Sequence, residues 1–456
     1  MARSRYKKLV DSLAAQIRAG QLAPGTRLPT HRELAVQERI ALVTASRIYA
    51  ELAIMGLVSG EAGRGTFVRE LALPPGHGVD QQTTAAEMLD LNFNYPALPE
   101  QTDLFRSGLR QLASAGDLDA LLRYQPHAGR PHERAAVAQY LACRGLAVTA
   151  QQVLIVSGAQ HGLAASVMAL LDPGDVVAVD SLSYPGFKAL AEAQRLELLP
   201  IPVTHGGKCA GLQPDLESLA VQCTQRRVRA IYAMPTLHNP LGWVLSLAQR
   251  RRLVAIARKH DLLIIEDAAY AFLADAPPAP LAALAPERTL YVSGFSKSLA
   301  TGLRVGYVVA PTKWVPQLER VIRVTTWNTP GLMTALVCDW LADGSVARME
   351  AQKREDAAKR QAMARQILKE LHCVGHSASY FLWLPLPAEV RADQVVMGLL
   401  RAKVAVSSAE PFAISERVPH AIRLALGSVA LPMLEVALRQ VARVIYACSC
   451  GVTTSP

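Results

Sequence analysis

Tyr291-Val-Ser-Gly-Phe-Ser-Lys297-Ser-Leu-Ala-Thr-Gly-Leu-Arg304-Val-Gly-Tyr307 places one lysine in a run of small and hydroxyl residues, with an arginine seven positions later in an apolar, glycine-bearing segment. The segments on either side read as strands. A lysine in such a loop is a candidate Schiff-base former. An amine condenses with an aldehyde only when it is unprotonated and accessible, and burial lowers a lysine pKa. Arg304 offers a planar fork of donors suited to a phosphate. Alone, the pattern is commoner as a surface lysine and a strand-end arginine, so its meaning depends on the rest of the chain.

Moving back along the chain, short apolar runs alternate with helical stretches. Val153-Leu-Ile-Val156, Val176-Val-Ala-Val179, Ala230-Ile-Tyr-Ala-Met234, Leu262-Leu-Ile-Ile265 and Thr289-Leu-Tyr-Val292 read as strands. Apolar strands separated by helices predict a mostly parallel sheet covered on both faces, with ligands at the carboxyl ends of its strands. Each strand end carries a polar signature. Ser157-Gly158-Ala159-Gln160 opens a helix and exposes backbone N–H groups at its positive end, a seat for a phosphate. Tyr184-Pro-Gly186 could stack an aromatic face on a ring. Asn239 could donate to a phenolate oxygen. A buried Asp267, in Glu266-Asp267-Ala-Ala-Tyr270, would hold a pyridine nitrogen protonated, as pyridoxal 5'-phosphate requires. Each feature alone is ordinary. Together, in this order, they suit one ligand.

The chain has 456 residues, enough for two or more domains, with 51% apolar and 19% charged residues. That composition excludes a disordered chain. No apolar run is long enough for a transmembrane helix, and the basic N-terminus lacks the apolar stretch of a signal peptide. The seven cysteines are scattered, and the one close pair, Cys448 and Cys450, has no matching ligand pair. Reduced thiols, a cytoplasmic location and no metal site are therefore expected. The net charge of +10 is uneven. Residues 1–70 hold eleven Lys and Arg against six Asp and Glu, half of the excess. A small basic domain suits phosphate-backbone binding.

Within those 70 residues, Leu9, Leu13 and Ile17 recur at helical spacing, and Thr30 is placed to cap a second helix. A third helix runs from about Leu42 to Gly56, and residues 57–68 read as a hairpin around a glycine-rich turn. This order is that of a winged helix-turn-helix, whose third helix enters the major groove. Residues 71–90 are Pro-Pro-Gly-bearing and polar, and read as a linker. The charges of the long helix over 348–372 are expected on a solvated face.

Arg27-Leu-Pro-Thr-His-Arg-Glu-Leu-Ala35, Tyr49-Ala-Glu-Leu52, Gly56-Leu-Val58 and Gly63-Arg-Gly-Thr-Phe-Val68 resemble the DNA-binding domain of the GntR family of bacterial regulators. The resemblance implies that Arg32, Thr44, Ser46, Arg47 and Arg64 face DNA. Where that family often has Ser-Arg opening the recognition helix, this chain has Ala41-Leu42, which removes a capping hydroxyl and a cation.

The series of strand ends resembles the class I/II aminotransferases, fold type I pyridoxal phosphate enzymes, over residues 91–445. By that resemblance Lys297 is the Schiff-base lysine, Asp267 pairs with the pyridine nitrogen, and Asn239 and Tyr270 bind the ring oxygen. Tyr184 stacks on the ring. The backbone of Gly158, Ala159 and Gln160, with Ser296 and Arg304, holds the phosphate. Tyr124 reaches the phosphate of a partner subunit, and Arg423, in Ile422-Arg-Leu-Ala-Leu-Gly427, clamps the α-carboxylate of a substrate or effector. At position 294, three before the lysine, the family often has Ser or Thr and this chain has Gly294. That loses one phosphate hydroxyl unless Ser293 or Ser296 replaces it.

A GntR-type winged helix fused to an aminotransferase-like domain is similar to the MocR subfamily of transcriptional regulators. The expected organisation is an α/β fold with a DNA-binding domain over 1–70, a linker over 71–90 and a pyridoxal-phosphate-binding domain over 91–450, comprising large and small subdomains. Two functions follow from the resemblance. One is a homodimeric regulator that binds a double-stranded operator and senses pyridoxal phosphate or an amino compound. The other is a working aminotransferase with an appended DNA-binding domain.

Overall fold

The structure, a computed structural model, describes residues 2–18, 21–55, 57–61, 65–69, 88–115, 118–205, 212–387, 390–415 and 418–449. Arg64, Cys450 and residues 71–87 of the expected linker lie outside the described residues.

The N-terminal unit comprises helices α1 (Ala2–Arg18), α2 (His31–Gln37) and α3 (Leu42–Ile54) and an antiparallel pair, β1 (Val58–Glu61) and β2 (Gly65–Val68). Thr30 starts α2 with a capping box: its hydroxyl accepts from the Glu33 N–H at 3.2 Å, and its own N–H donates to Glu33 Oε2 at 2.7 Å. Ala41 gives α3 no such side-chain cap. The buried stripe of α1 is Val10, Ala14 and Ile17, packed on Ala45, Ile48 and Leu52 of α3; Leu9 and Leu13 lie at its edge, half-buried.

Strand β3 (Leu89–Leu91) pairs in parallel with β14 (Val404–Ser408), more than 300 residues away. The last residues read as linker therefore already belong to a sheet. The large subdomain is a seven-stranded sheet of β4 (Val153–Val156), β5 (Val176–Asp180), β6 (Glu197–Ile201), β9 (Val228–Ala233), β10 (Leu263–Asp267), β11 (Thr289–Gly294) and β12 (Gly306–Val309). Its order is β4-β12-β11-β10-β9-β5-β6, parallel except for β12. A short hairpin, β7 (Val203–His205) and β8 (Leu212–Pro214), stands apart. Every residue of β4, β5 and β10 is buried, as expected of strands covered on both faces. The small subdomain is a four-stranded sheet of β13 (Phe381–Pro385), β15 (Ala421–Ala425), β14 and β3, backed by helices Ala392–Arg401 and Leu431–Ser449.

One helix, Ser345–Ile367, runs between the two subdomains, and the expected solvated face is only half right. Glu350, Lys353, Arg360 and Gln361 are buried. Burial is tolerated because the charged heads are met and Gln361 Nε2 donates to the Ser379 and Phe381 carbonyls. Lys353 Nζ donates to the carbonyls of Pro96 (3.0 Å), Lys297 (3.0 Å) and Leu299 (2.8 Å). Arg360 pairs with Asp356 at 2.7 Å and donates to the Leu426 and Val429 carbonyls. Glu350 accepts from Tyr140 and Arg144. Beside its buried Val346, Met349, Ala357 and Ala364, the helix is thus held by polar partners from elements far away in sequence.

Candidate functional site

A cavity of about 330 Å³ opens at the carboxyl ends of the central strands, against the small subdomain. Ten of the expected residues line it: Ala159, Gln160, Tyr184, Asn239, Asp267, Tyr270, Ser296, Lys297, Arg304 and Arg423. Gly158 stands immediately behind them. Tyr124 does not reach this cavity; it is 85% exposed and packs on Trp327 with ring centroids 5.4 Å apart.

The end of the cavity expected to take a phosphate is shaped by glycines. Gly158 precedes the helix Ala159–Leu170 with φ of 86°, where a side chain is disfavoured. A Cβ there would lie 2.6 Å from Arg304 Nη2. Arg304, itself left-handed at φ 52°, donates to the Ser157 carbonyl at 3.2 Å and to Ser296 Oγ at 3.4 Å. Gly294 and Gly306 face each other across β11 and β12. A Cβ on Gly306 would approach the Gly158 carbonyl carbon to 2.7 Å, and one on Gly294 would approach Gly306 Cα and the Val305 oxygen to 3.0 Å. The missing hydroxyl at 294 thus goes with close strand packing. Of the two serines considered as substitutes, Ser293 points away and donates to the Ala268 carbonyl at 3.1 Å, whereas Ser296 lines the cavity.

At the centre, Asp267 ends β10 fully buried. Burial drives its carboxyl up, against hydrogen bonds from Tyr232 Oη (2.7 Å) and the Ala269 N–H (3.0 Å). No lysine or arginine among the described residues pairs with it. Burial, then Asp267 and Tyr270, also push the Tyr184 phenol up. Gly186 gives the Tyr184 ring its room, since a Cβ there would sit 2.4 Å from the ring. Asn239 is buried with its Oδ1 unpartnered. Tyr270 Oη accepts from Asn94 Nδ2 at 3.1 Å. Lys297 Nζ donates to the Asn94 carbonyl and lies 5.8 Å from the Tyr270 ring centre.

At the far end Arg423 is buried in β15. Desolvation pushes it down to about 10, with Tyr270 and Asp90 opposing. Its Nη2 donates to the Asn92 carbonyl and to Ser407 Oγ (3.2 Å), while its buried Nε has no partner. Such an arginine is poised for a carboxylate.

Several lining residues were not foreseen: Phe93, Asn94 and Tyr95 after β3, Thr301, and Phe412. The polar-aromatic run Asn92-Phe-Asn-Tyr-Pro96 carried a signal, because it too follows a strand. Reading 71–90 as linker hid that strand.

In the winged helix, Arg32 and Arg47 are exposed and Thr44 is half-buried. Ser46 Oγ bonds His31 Nδ1 at 2.9 Å, and the Arg47 guanidinium lies 4.9 Å from the Tyr6 ring centre. Among the described residues no group of three or more His, Cys, Asp or Glu could hold a metal ion, and no helix is long and apolar enough to cross a membrane.

Residues 86–441 match the family of class I and II aminotransferases, and residues 5–68 match the gntR family of bacterial regulatory proteins. The chain is 27% identical over 422 residues to YdeF of Bacillus subtilis (strain 168), an uncharacterized HTH-type transcriptional regulator, covering 92% of this chain and 90% of that one. It is 27% identical over 424 residues to MocR of Rhizobium meliloti, a probable rhizopine catabolism regulatory protein, covering 87% and 82%. Among solved structures it is similar to LysN, the α-aminoadipate aminotransferase of Thermus thermophilus in complex with N-(5'-phosphopyridoxyl)-L-leucine. That match has a TM-score of 0.72 and 26% identity, over 84% of this chain and 99% of that one.

Proposed function

Because the chain belongs to the class I and II aminotransferase family and carries a gntR-family domain ahead of it, we propose that it is a DNA-binding transcriptional regulator of the MocR type that holds pyridoxal 5'-phosphate and senses that cofactor or an amino compound. One observation carries the reading: Lys297, a buried Asp267, Asn239, Tyr184, Tyr270, Arg304 and Arg423 line one cavity in a chain that also bears a winged helix. The relatives YdeF and MocR, both named as regulators, support it. The chain would act in the cytoplasm as a homodimer, with each winged helix on one half-site.

The residues present fit the cofactor. Asp267 is a buried carboxylate with no lysine or arginine partner among the described residues, and a pyridinium N–H answers that need. Asn239 Oδ1 and Arg423 Nε are buried polar atoms without a bond. Gly158 leaves Arg304 room to lie along that end of the cavity, and Gly306 lets the opening of the helix Ala159–Leu170 pack close against the sheet. When bound, the cofactor supplies an aldehyde that takes up amines and a ring that withdraws electrons.

Lys297 would hold the aldehyde and, once released, could carry a proton at Nζ. Asp267 would keep the ring nitrogen protonated, Tyr184 would cover one ring face, and Asn239 and Tyr270 would bind the ring oxygen. Ser296, Arg304 and the N–H groups opening the helix Ala159–Leu170, from Gly158 to Gln160, would bind the phosphate. Tyr124, exposed on this chain, would complete the phosphate site of a partner subunit. Arg423 would take the effector's α-carboxylate. Arg32, Thr44, Ser46, Arg47 and Arg64 would face DNA.

A second reading, a working aminotransferase, is favoured by the same residues around Lys297 and by the similarity to LysN. Turnover separates the two. Steady conversion of an amino acid and a 2-oxo acid, lost in Lys297→Ala, supports the enzyme. Binding to the chain's own upstream DNA that responds to the ligand, without turnover, supports the regulator.

A further inference from the structure

The winged helix and the cavity meet at a single turn, residues 410–412, just after β14. On its outer side Glu410 receives both terminal nitrogens of Arg69, Nη1 to Oε1 and Nη2 to Oε2, each at 3.0 Å. Arg69 directly follows the wing strand β2, and its side chain is only 10% exposed. This is a forked pair whose guanidinium is buried while the carboxylate stays partly open to solvent. Beside it the Arg391 guanidinium covers the Phe67 ring at 4.3 Å. Gly25 lies against Gln394 at ordinary contact distance, with a Cβ there 3.6 Å from its side-chain nitrogen.

On its inner side the same turn backs the cavity. Phe412 is buried, lines the cavity, and lies with its ring centre 5.0 Å from the Arg423 guanidinium carbon. The turn is also tied to the other wall. The Phe412 carbonyl accepts from the Ser183 N–H (2.8 Å), the Ile414 N–H donates to the Ser181 carbonyl (3.0 Å), and Lys188 Nζ donates to the Ala413 carbonyl (2.7 Å). Tyr184 follows that loop directly. A group that reorganises Arg423 therefore presses on Phe412, and Phe412 is two residues from the carboxylate that anchors the wing.

We infer that the small-subdomain face formed by Arg391, Gln394 and Glu410 is the docking surface of the winged helix, and that the turn 410–412 makes this docking and the occupancy of the Arg423 end of the cavity depend on each other. The inference rests on the reading of the cavity as a pyridoxal-phosphate and amino-compound site. Linkage makes the dependence reciprocal: if a carboxylate on Arg423 changes the docking, then breaking the docking must change the affinity for that carboxylate by the same factor. No operator sequence is needed to test it.

The full chain is titrated with two probes, pyridoxal 5'-phosphate, which has no α-carboxylate, and N-(5'-phosphopyridoxyl)-L-leucine, which does. The proteins are the wild type, Arg69→Met, Glu410→Gln, and the double variant Arg69→Glu with Glu410→Arg, each checked for an unchanged circular dichroism spectrum. The expected result is a shift in the Kd of the leucine conjugate of about five-fold or more in each single variant. Pyridoxal phosphate should shift less than about two-fold, and the charge reversal should restore the conjugate's wild-type value. An unchanged conjugate Kd in both single variants overturns the coupling, as does an equal shift of both probes. Failure of the wild type to bind pyridoxal phosphate sinks the cofactor reading itself, and the first titration distinguishes that outcome.

Discussion

Gly158 shows how much of the site depends on an atom that is missing. With φ at 86° and Arg304 Nη2 2.6 Å from the place of its Cβ, Gly158→Ala should displace the arginine and strain the turn. Affinity for pyridoxal phosphate should fall by about ten-fold or more, corresponding to roughly 1.4 kcal/mol; an unchanged Kd would mean that Arg304 does not hold the phosphate. Glu266, the neighbour of Asp267, faces the other way. Its two oxygens accept from the Leu281 N–H (3.1 Å) and the Ala282 N–H (2.9 Å), and burial pushes it up to about 7. The unfolded carboxyl releases its proton near 4.5, so between those values the folded chain binds more protons. The contribution of this group is full below 4.5 and is lost as pH rises through about 7. Melting curves across that range should show the wild type losing on the order of 3 kcal/mol from this group. Glu266→Gln should flatten the dependence, and an identical slope in the variant would contradict the assignment.

The helix Ser345–Ile367 connects the subdomains through buried charges. Lys353 is pushed down to about 7, by burial first and then by the charge of Lys297, while its three carbonyl partners favour the ammonium form. Lys353→Met keeps the length of the side chain but leaves the Pro96, Lys297 and Leu299 carbonyls without their donor. A loss on the order of 3 kcal/mol, read as a clear fall in Tm, is expected; an unchanged Tm would show that water takes over those carbonyls. None of this was visible in RMEAQKREDAAKRQAMARQIL, because a charged helix reads as solvated unless its distant partners are known. Strand β3 was missed for a similar reason: its partner, β14, lies over 300 residues on, and a Pro-Pro-Gly linker precedes it. Five strands of the large sheet were legible because each is a short apolar run ending in a polar signature; β6, which carries Glu197 and Pro200, was not read. Of the strand-end series Ser157, Gly158 and Glu266 stand off the cavity wall. Phe412 had no such signature, since a phenylalanine after a proline reads as core.

Taken whole, the chain joins a basic winged helix to a cavity for which we propose a phosphorylated ring and an α-carboxylate as ligands. If Arg32 and Arg47 meet phosphates, Arg32→Ala and Arg47→Ala should each reduce the slope of log affinity against log salt by about one, across unrelated DNA sequences. Equal slopes would place those arginines off the backbone. The most direct test of a ligand-sensing regulator is the affinity of the full chain for its own upstream DNA. It is measured at fixed moderate salt with pyridoxal phosphate absent, present, and present with a panel of amino compounds, for the wild type and Lys297→Ala. A ligand-dependent change of about five-fold or more in the wild type, absent in Lys297→Ala, is the predicted result. Binding no tighter than to unrelated DNA, or an affinity that no ligand changes, would contradict it.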